Sequence, residues 1–190
     1  MVFGDPDVER YKDKDSEEEI ELHGIYFDTK DKRLSREGIT FRTRKEGERF
    51  VATIKWNGVS ENGLYEREEI NIPICDESKF RNPDVELFKH SQMYDTLKEV
   101  IGERELLARV EAKLTRKQVR IDTGKSISEI SYDFGLAING DSSCQISEME
   151  IELYSGDRQD MEEFSEKLAE KYHLMPENRS KYRQGLELEK

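Results

Sequence analysis

From Ile39 onward the chain alternates. Ile39, Phe41 and Thr43 interleave with Thr40, Arg42 and Arg44, and beyond the turn Glu46-Gly47-Glu48 the set Ala52, Ile54, Trp56 interleaves with Val51, Thr53, Lys55. A period of two puts the two sets on opposite faces of a strand, so the pattern predicts a hairpin with one apolar and one polar face. Asn57-Gly58 and a turn at Ser60-Glu61-Asn62-Gly63 lead to a third strand, Leu64 to Ile74. It sets Tyr65, Arg67, Glu69 and Asn71 against Glu66, Glu68, Ile70 and Ile72, and Pro73 marks its end or an edge. Leu107 to Ile121 reads as one long bent strand or a strand pair, carrying Arg109, Glu111, Lys113, Arg116, Gln118 and Arg120. Ser126 to Asp133 alternates again, and in Ser147 to Leu153 Glu148, Glu150 and Glu152 alternate with apolar residues.

Helical spacing occurs in two places. Pro83 to Ile101 carries Val85, Leu87, Phe88, Met93, Leu97, Val100 and Ile101, with Gly102 as a stop. Asp157 to Tyr172 carries Met161, Phe164, Leu168 and Tyr172, with Ser155 or Asp157 as N-cap. These apolar side chains are read as core. Residues 5 to 21 are almost entirely charged without apolar periodicity, so 1–21 is expected to be a solvated arm or helix and 22–190 the folded domain.

The 190 residues suffice for one domain, yet only 34% are hydrophobic and 39% are charged, which implies a highly ionic surface or a polar interior. A net charge of -12 argues against general nucleic-acid binding. It leaves room for a small polyanion in a local basic pocket. No stretch approaches the roughly 18 apolar residues of a membrane span and no secretory leader is evident, so a cytoplasmic protein is expected. Cys75 and Cys144 have no metal-ligand spacing and give no sign of a disulfide, and the scattered His23, His90 and His173 do not suggest zinc.

Three glutamates on one strand face stand roughly 6.5 to 7 Å apart and repel unless they are solvated or neutralised by cations. An isolated acidic strand is usually a water-facing edge. Here other strands carry arginine and lysine on their polar faces. About eight antiparallel strands with helices over the apolar side suggest a barrel with a polar lumen, where Arg42, Arg44, Lys55, Arg67 and Arg116 face Glu148, Glu150 and Glu152. Burying such charges without a ligand is costly. Basic side chains can grip phosphoryl oxygens, and carboxylates can reach phosphate through Mg2+ or Mn2+, the combination needed for metal-assisted phosphoryl transfer.

The ordered segments Ile25-Tyr26-Phe27-Asp28-Thr29, Phe41-Arg42-Thr43-Arg44, Thr53-Ile54-Lys55, Arg67-Glu68-Glu69, Ser131-Tyr132-Asp133-Phe134-Gly135 and Glu148 to Leu153, with the tail Arg179-Ser180-Lys181-Tyr182, resemble the CYTH superfamily of triphosphate tunnel metalloenzymes over about residues 22 to 186. The resemblance implies an α+β fold, an antiparallel eight-stranded β-tunnel with flanking α-helices that binds triphosphate substrates with Mg2+ or Mn2+. By position it implies phosphate binding by Arg42, Arg44, Lys55, Arg67, Arg116 and Lys181, and metal binding by Glu148, Glu150 and Glu152. Lys55, Arg67 and Glu150 are the expected catalytic residues. Glu69, Glu129 and Asp133 are read either as further acidic lining or as internal ion-pair partners of the arginines.

One departure stands out. The family's first strand, an E-x-E-x-K, finds no counterpart in Met1 to Asp15, and Glu19-Ile20-Glu21-Leu22-His23 abuts Tyr26, in the place of the second strand. The expectation is a tunnel lacking that strand, with an open seam that invites pairing into a homodimer. The leading function is hydrolysis of inorganic triphosphate. The alternatives are a class IV-type adenylate cyclase acting on a nucleoside triphosphate and a noncatalytic polyphosphate- or nucleotide-binding domain.

Overall fold

The computed structural model describes residues 2–61 and 64–189, without the side chains of residues 60, 61 and 65; the turn expected at Asn62-Gly63 lies outside the described residues. Among these, seven strands appear: β1 (Glu18–Asp28), β2 (Thr40–Glu46), β3 (Arg49–Glu61), β4 (Leu64–Pro73), β5 (Leu107–Asp122), β6 (Ser126–Asn139) and β7 (Ser142–Gly156). They hydrogen-bond in the order β4-β3-β2-β1-β5-β6-β7. The helices are α1 (Pro6–Tyr11), α2 (Arg33–Arg36), α3 (Ser78–Arg81), α4 (Tyr94–Ile101), α5 (Arg158–Tyr172) and α6 (Lys181–Leu186). The expected α+β class and antiparallel strands are therefore present. Glu19 to His23 and Tyr26 to Asp28 form one continuous strand, β1, and no residue between them turns the chain.

The chain forms two compact units. The first comprises Met1–Ile20, Thr115–Phe134 and Ser147–Glu177, and the second Glu21–Leu114, Gly135–Ile146 and Asn178–Lys190. In the first, Phe164 and Leu168 of α5 pack on Val119, Ile121 and Ile130, with Met149 and Ile151 alongside. Asp157 caps α5, its carboxylate accepting the Gln159 N–H at 2.9 Å, which satisfies an N–H left orphaned by the helix geometry.

The N-terminal segment, expected as a solvated arm or helix, contains the short helix α1, and three of its residues are anchored. Val2 and Val8 are buried in the same core. Asp5, only 1% exposed, caps α1 through the Asp7 N–H at 2.8 Å, and accepts the Tyr172 hydroxyl at 2.8 Å and the Lys171 ammonium at 2.6 Å. One valine per short turn is too little to register as a periodicity, so the anchor was invisible in the hydrophobic pattern.

In the second unit the strand register sets Phe27 opposite Phe41, Phe41 opposite Ile54 and Ile54 opposite Ile70. Directly opposed residues point to one side of a sheet. This side meets Leu34, Phe88, Met93, Leu97 and Ile101 in the core. The long helix expected from Pro83 to Ile101 is instead a single 3-10 turn, Val85–Phe88, followed by α4. Ser91 restarts the chain, its hydroxyl accepting the Met93 N–H at 3.3 Å, while Gly102 ends α4 at φ 61° as expected. The apolar residues reach the core from two short pieces, which a single helical period imitates.

Candidate functional site

Because one face of β2, β3 and β4 is committed to the core, their alternate residues gather on the other face. Register makes the grouping explicit: Tyr26 opposes Arg42, Arg42 opposes Thr53, and Thr53 opposes Asn71, while the next row pairs Thr40 with Lys55 and Lys55 with Glu69. Arg42 donates from Nη2 to Thr53 Oγ1 at 3.4 Å, Thr53 donates to Asn71 Oδ1 at 2.7 Å, and Asn71 Nδ2 donates to Glu69 at 2.8 Å. Lys55 Nζ lies 2.6 Å from Glu69. Burial pushes the Glu69 carboxyl up, but Lys55, Asn71 and Arg42 outweigh it and hold it below the ordinary carboxylate range.

One donor in this network is idle. The Nε of Arg42 is buried and makes no hydrogen bond to the described residues, a state that is costly unless an acceptor arrives. The Arg42 guanidinium also lies 6.0 Å from the centre of the Tyr26 ring. Arg44 pairs with Glu46 two residues along the same face.

At Asn57-Gly58 the pairing slips, so that these two residues oppose Arg67 alone between the pairs Trp56–Glu68 and Val59–Glu66. This is a β-bulge. Asn57, at φ 50°, donates to Glu68 at 2.7 Å. The stem of Arg67 crosses Gly58 so closely that a Cβ there would stand 3.3 Å from Arg67 Cγ.

The C-terminal tail supplies the cover on β1. Tyr182 of α6 stacks on Tyr26 with ring centres 5.2 Å apart and planes 14° from parallel. Its hydroxyl reaches Ser35 Oγ at 3.2 Å and Asp28 at 3.4 Å. Burial, with Asp28 adding to it, pushes the Tyr182 phenol up to about 12. Asp28 is fully buried and accepts the N–H groups of Thr29, Leu34 and Ser35 at 2.8, 2.9 and 3.0 Å, so it holds the turn into α2. Lys181 opens α6 beside Tyr182.

The acidic set belongs to the first unit. Met149 and Ile151 go to its core, which turns Glu148, Glu150 and Glu152 to the opposite face. There Arg116 holds Asp133 with a two-pronged bond, Nε to Oδ1 at 2.7 Å and Nη2 to Oδ2 at 2.8 Å, and Nη2 also reaches Glu150 at 3.2 Å. Burial opposes the Arg116 charge, but Asp133 and then Glu150 raise its pKa above the ordinary arginine value. Glu129 accepts the Tyr154 hydroxyl at 2.8 Å. Partial burial and that carboxylate push the Tyr154 phenol up to about 12.

The expected phosphate ligands Arg42, Arg44, Lys55, Arg67 and Lys181 thus belong to the second unit, and Arg116 with Glu148, Glu150 and Glu152 to the first. Among the described residues no three His, Cys, Asp or Glu side chains converge to hold a metal ion. The carboxylates as they stand do not fit a preformed divalent site, since Arg116 engages Glu150 and, beside it, Asp133. Of the residues left open in the sequence, Asp133 pairs with Arg116 and Glu69 with Lys55. Tyr26, Thr53, Asn71 and Tyr182 were not expected at the site; the register opposite Arg42 is the signal that would have found the first three. No described helix is long and apolar enough to cross a membrane.

The CYTH domain family matches residues 6–186. An inorganic triphosphatase of Haemophilus influenzae is 28% identical over 166 residues, which is 86% of this chain and 45% of that protein. The chain therefore spans less than half the length of that relative. Among solved structures, a candidate adenylyl cyclase from Hippeastrum, reported to reveal a dominant triphosphatase activity, superposes with a TM-score of 0.63 at 16% identity, over 93% of this chain and 84% of that one. A protein of Pyrococcus horikoshii gives 0.53 at 19% identity, over 95% and 90%.

Proposed function

The chain belongs to the CYTH domain family, and we propose from that premise that it binds a triphosphate chain on the basic face of β2–β4 and hydrolyses its terminal anhydride, inorganic triphosphate being the substrate. The observation that carries this reading is the idle, buried Nε donor of Arg42, on the same strand face as Lys55 and Arg67. A buried cationic N–H calls for an anionic acceptor, and a phosphate oxygen is one that arginine binds well.

Hydrolysis in this arrangement is mainly a matter of position and charge. Water attacks the terminal phosphorus in line with the departing pyrophosphate oxygen, and negative charge builds on that leaving group. Arg42, Lys55 and Arg67 stabilise the oxygens that gain charge, which is where a fixed cation accelerates the reaction. Arg42 is held in turn by Thr53 at 3.4 Å and lies over Tyr26, so its fork is oriented before substrate arrives. Lys181 is assigned to the same phosphate chain by its place next to the anchored Tyr182.

Family membership also implies Mg2+ or Mn2+, which would supply charge neutralisation between phosphate oxygens. The described carboxylates offer no ready three-ligand site for it, so the roles above are assigned to the chain's own cations. The test is release of orthophosphate from tripolyphosphate by the purified chain, assayed with Mg2+ and with Mn2+. Turnover that falls with Arg42→Ala supports the reading. Cyclic AMP formed from ATP without phosphate release from tripolyphosphate would replace it with the cyclase.

A further inference from the structure

Arg116 is bonded to both Asp133 and Glu150. Asp133 is 1% exposed, and both its oxygens are taken by one guanidinium, Nε at 2.7 Å and Nη2 at 2.8 Å. The same Nη2 extends to Glu150 at 3.2 Å, from the next strand along. Buried carboxylates need a cation close by. Here the protein supplies it from β5.

We propose that Arg116 is the resident counter-cation of this acidic face: it neutralises and positions Asp133 and Glu150 in place of a divalent ion. The fork geometry supports this, because two parallel N–H bonds match the two oxygens of a carboxylate and fix its plane, which an ammonium cannot do. The positions of the two acids support it too. Asp133 is enclosed with both oxygens on the guanidinium, whereas the Glu150 side chain is half exposed and within reach of a cation from solvent. A metal approaching these carboxylates meets a positive charge already seated between them. The inference rests on the family reading only for its relevance to catalysis, and the test below involves no turnover, so either can fail alone.

The experiment is Mn2+ titration of the full chain without phosphate, followed by electron paramagnetic resonance of the free ion, with thermal melting in the presence and absence of Mn2+ as a second readout. Wild type is expected to show no saturable binding and no Mn2+-dependent rise in melting temperature. Arg116→Gln, which removes the charge, is expected to gain at least about tenfold in Mn2+ affinity and to melt higher with Mn2+, and adding Glu150→Gln is expected to cancel the gain. Should Arg116→Gln fail to fold, Arg116→Lys keeps a charge but loses the two-pronged grip, and it should show a smaller gain of the same sign. Tight Glu150-dependent Mn2+ binding by wild type, or no gain in any folded Arg116 variant, overturns the proposal.

Discussion

Lys55 and Glu69 stand directly opposite each other on β3 and β4 and are joined at 2.6 Å. The basic face of β2–β4 therefore carries an internal anion, with which a polyphosphate bound there as proposed would compete. Removing that charge by Glu69→Gln is expected to tighten tripolyphosphate binding about three- to tenfold, the scale of one partly screened neighbouring charge. Because Lys55 holds the Glu69 carboxyl below its ordinary range, the same tightening is expected in wild type only at a pH below that range, where Glu69 takes up its proton. Calorimetry of both proteins against pH checks it, and weaker binding by Glu69→Gln would show that Glu69 serves the ligand.

Arg42 should matter through its fork as well as its charge. A hydrogen bond to a charged group contributes about 1.5–3 kcal/mol, so Arg42→Ala is expected to weaken tripolyphosphate binding about ten- to a hundredfold. Arg42→Lys keeps the charge but loses the Nε donor, and it should fall between. Equal affinity of Arg42→Lys and wild type, measured by calorimetry, would mean that the idle Nε plays no part.

Acid stability should depend on Asp5. Burial pushes this carboxyl up, but Lys171, the Asp7 N–H and Tyr172 outweigh it and hold it at about 2. A group depressed in the folded state adds stability above its unfolded pKa, and that contribution fades as pH falls from the ordinary aspartate value near 3.8 toward 2. Denaturant melts from pH 5 to pH 2 should show wild type losing stability in that window. Asp5→Asn should be less stable at pH 5 and flatter below it.

The seat of α6 is tight. A Cβ on Gly185 would stand 2.3 Å from Val110 Cγ1, and the Gly185 carbonyl accepts from Asn139 Nδ2 at 3.2 Å. Gly185→Ala is expected to destabilise by about 1–3 kcal/mol, the usual cost of overpacking. Val110→Ala added to it should recover part of that loss, and strict additivity of the two changes in a denaturant series would contradict the contact.

The strands and their faces were legible because period-two alternation is strong where one face is core: Phe41, Ala52 and Ile54 could be assigned inward, and Arg42, Thr53 and Lys55 to the other face, without coordinates. The residues that complete the site were less legible. Tyr26 and Tyr182 are far apart in sequence and look like core aromatics, and only packing of the tail on β1 makes them a stack. Arg116 was legible as a basic residue of a polar strand face, and an ion pair with Asp133 was one of two readings left open, but the two-pronged bond that joins them depends on strand register. The N-terminal anchor escaped for a different reason, since Asp5 and Val8 act singly and leave no period. The long helix before Gly102 was overread because two short pieces happened to share one apolar spacing.

The most direct test of triphosphate hydrolysis on the β2–β4 face is the rate of orthophosphate release from tripolyphosphate by wild type, Arg42→Ala and Lys55→Ala under identical Mg2+ or Mn2+ conditions, with circular dichroism confirming that each is folded. Release by wild type, reduced at least about tenfold in both variants, is the expected result. Folded wild type that neither binds nor hydrolyses tripolyphosphate, or variants as active as wild type, would contradict it.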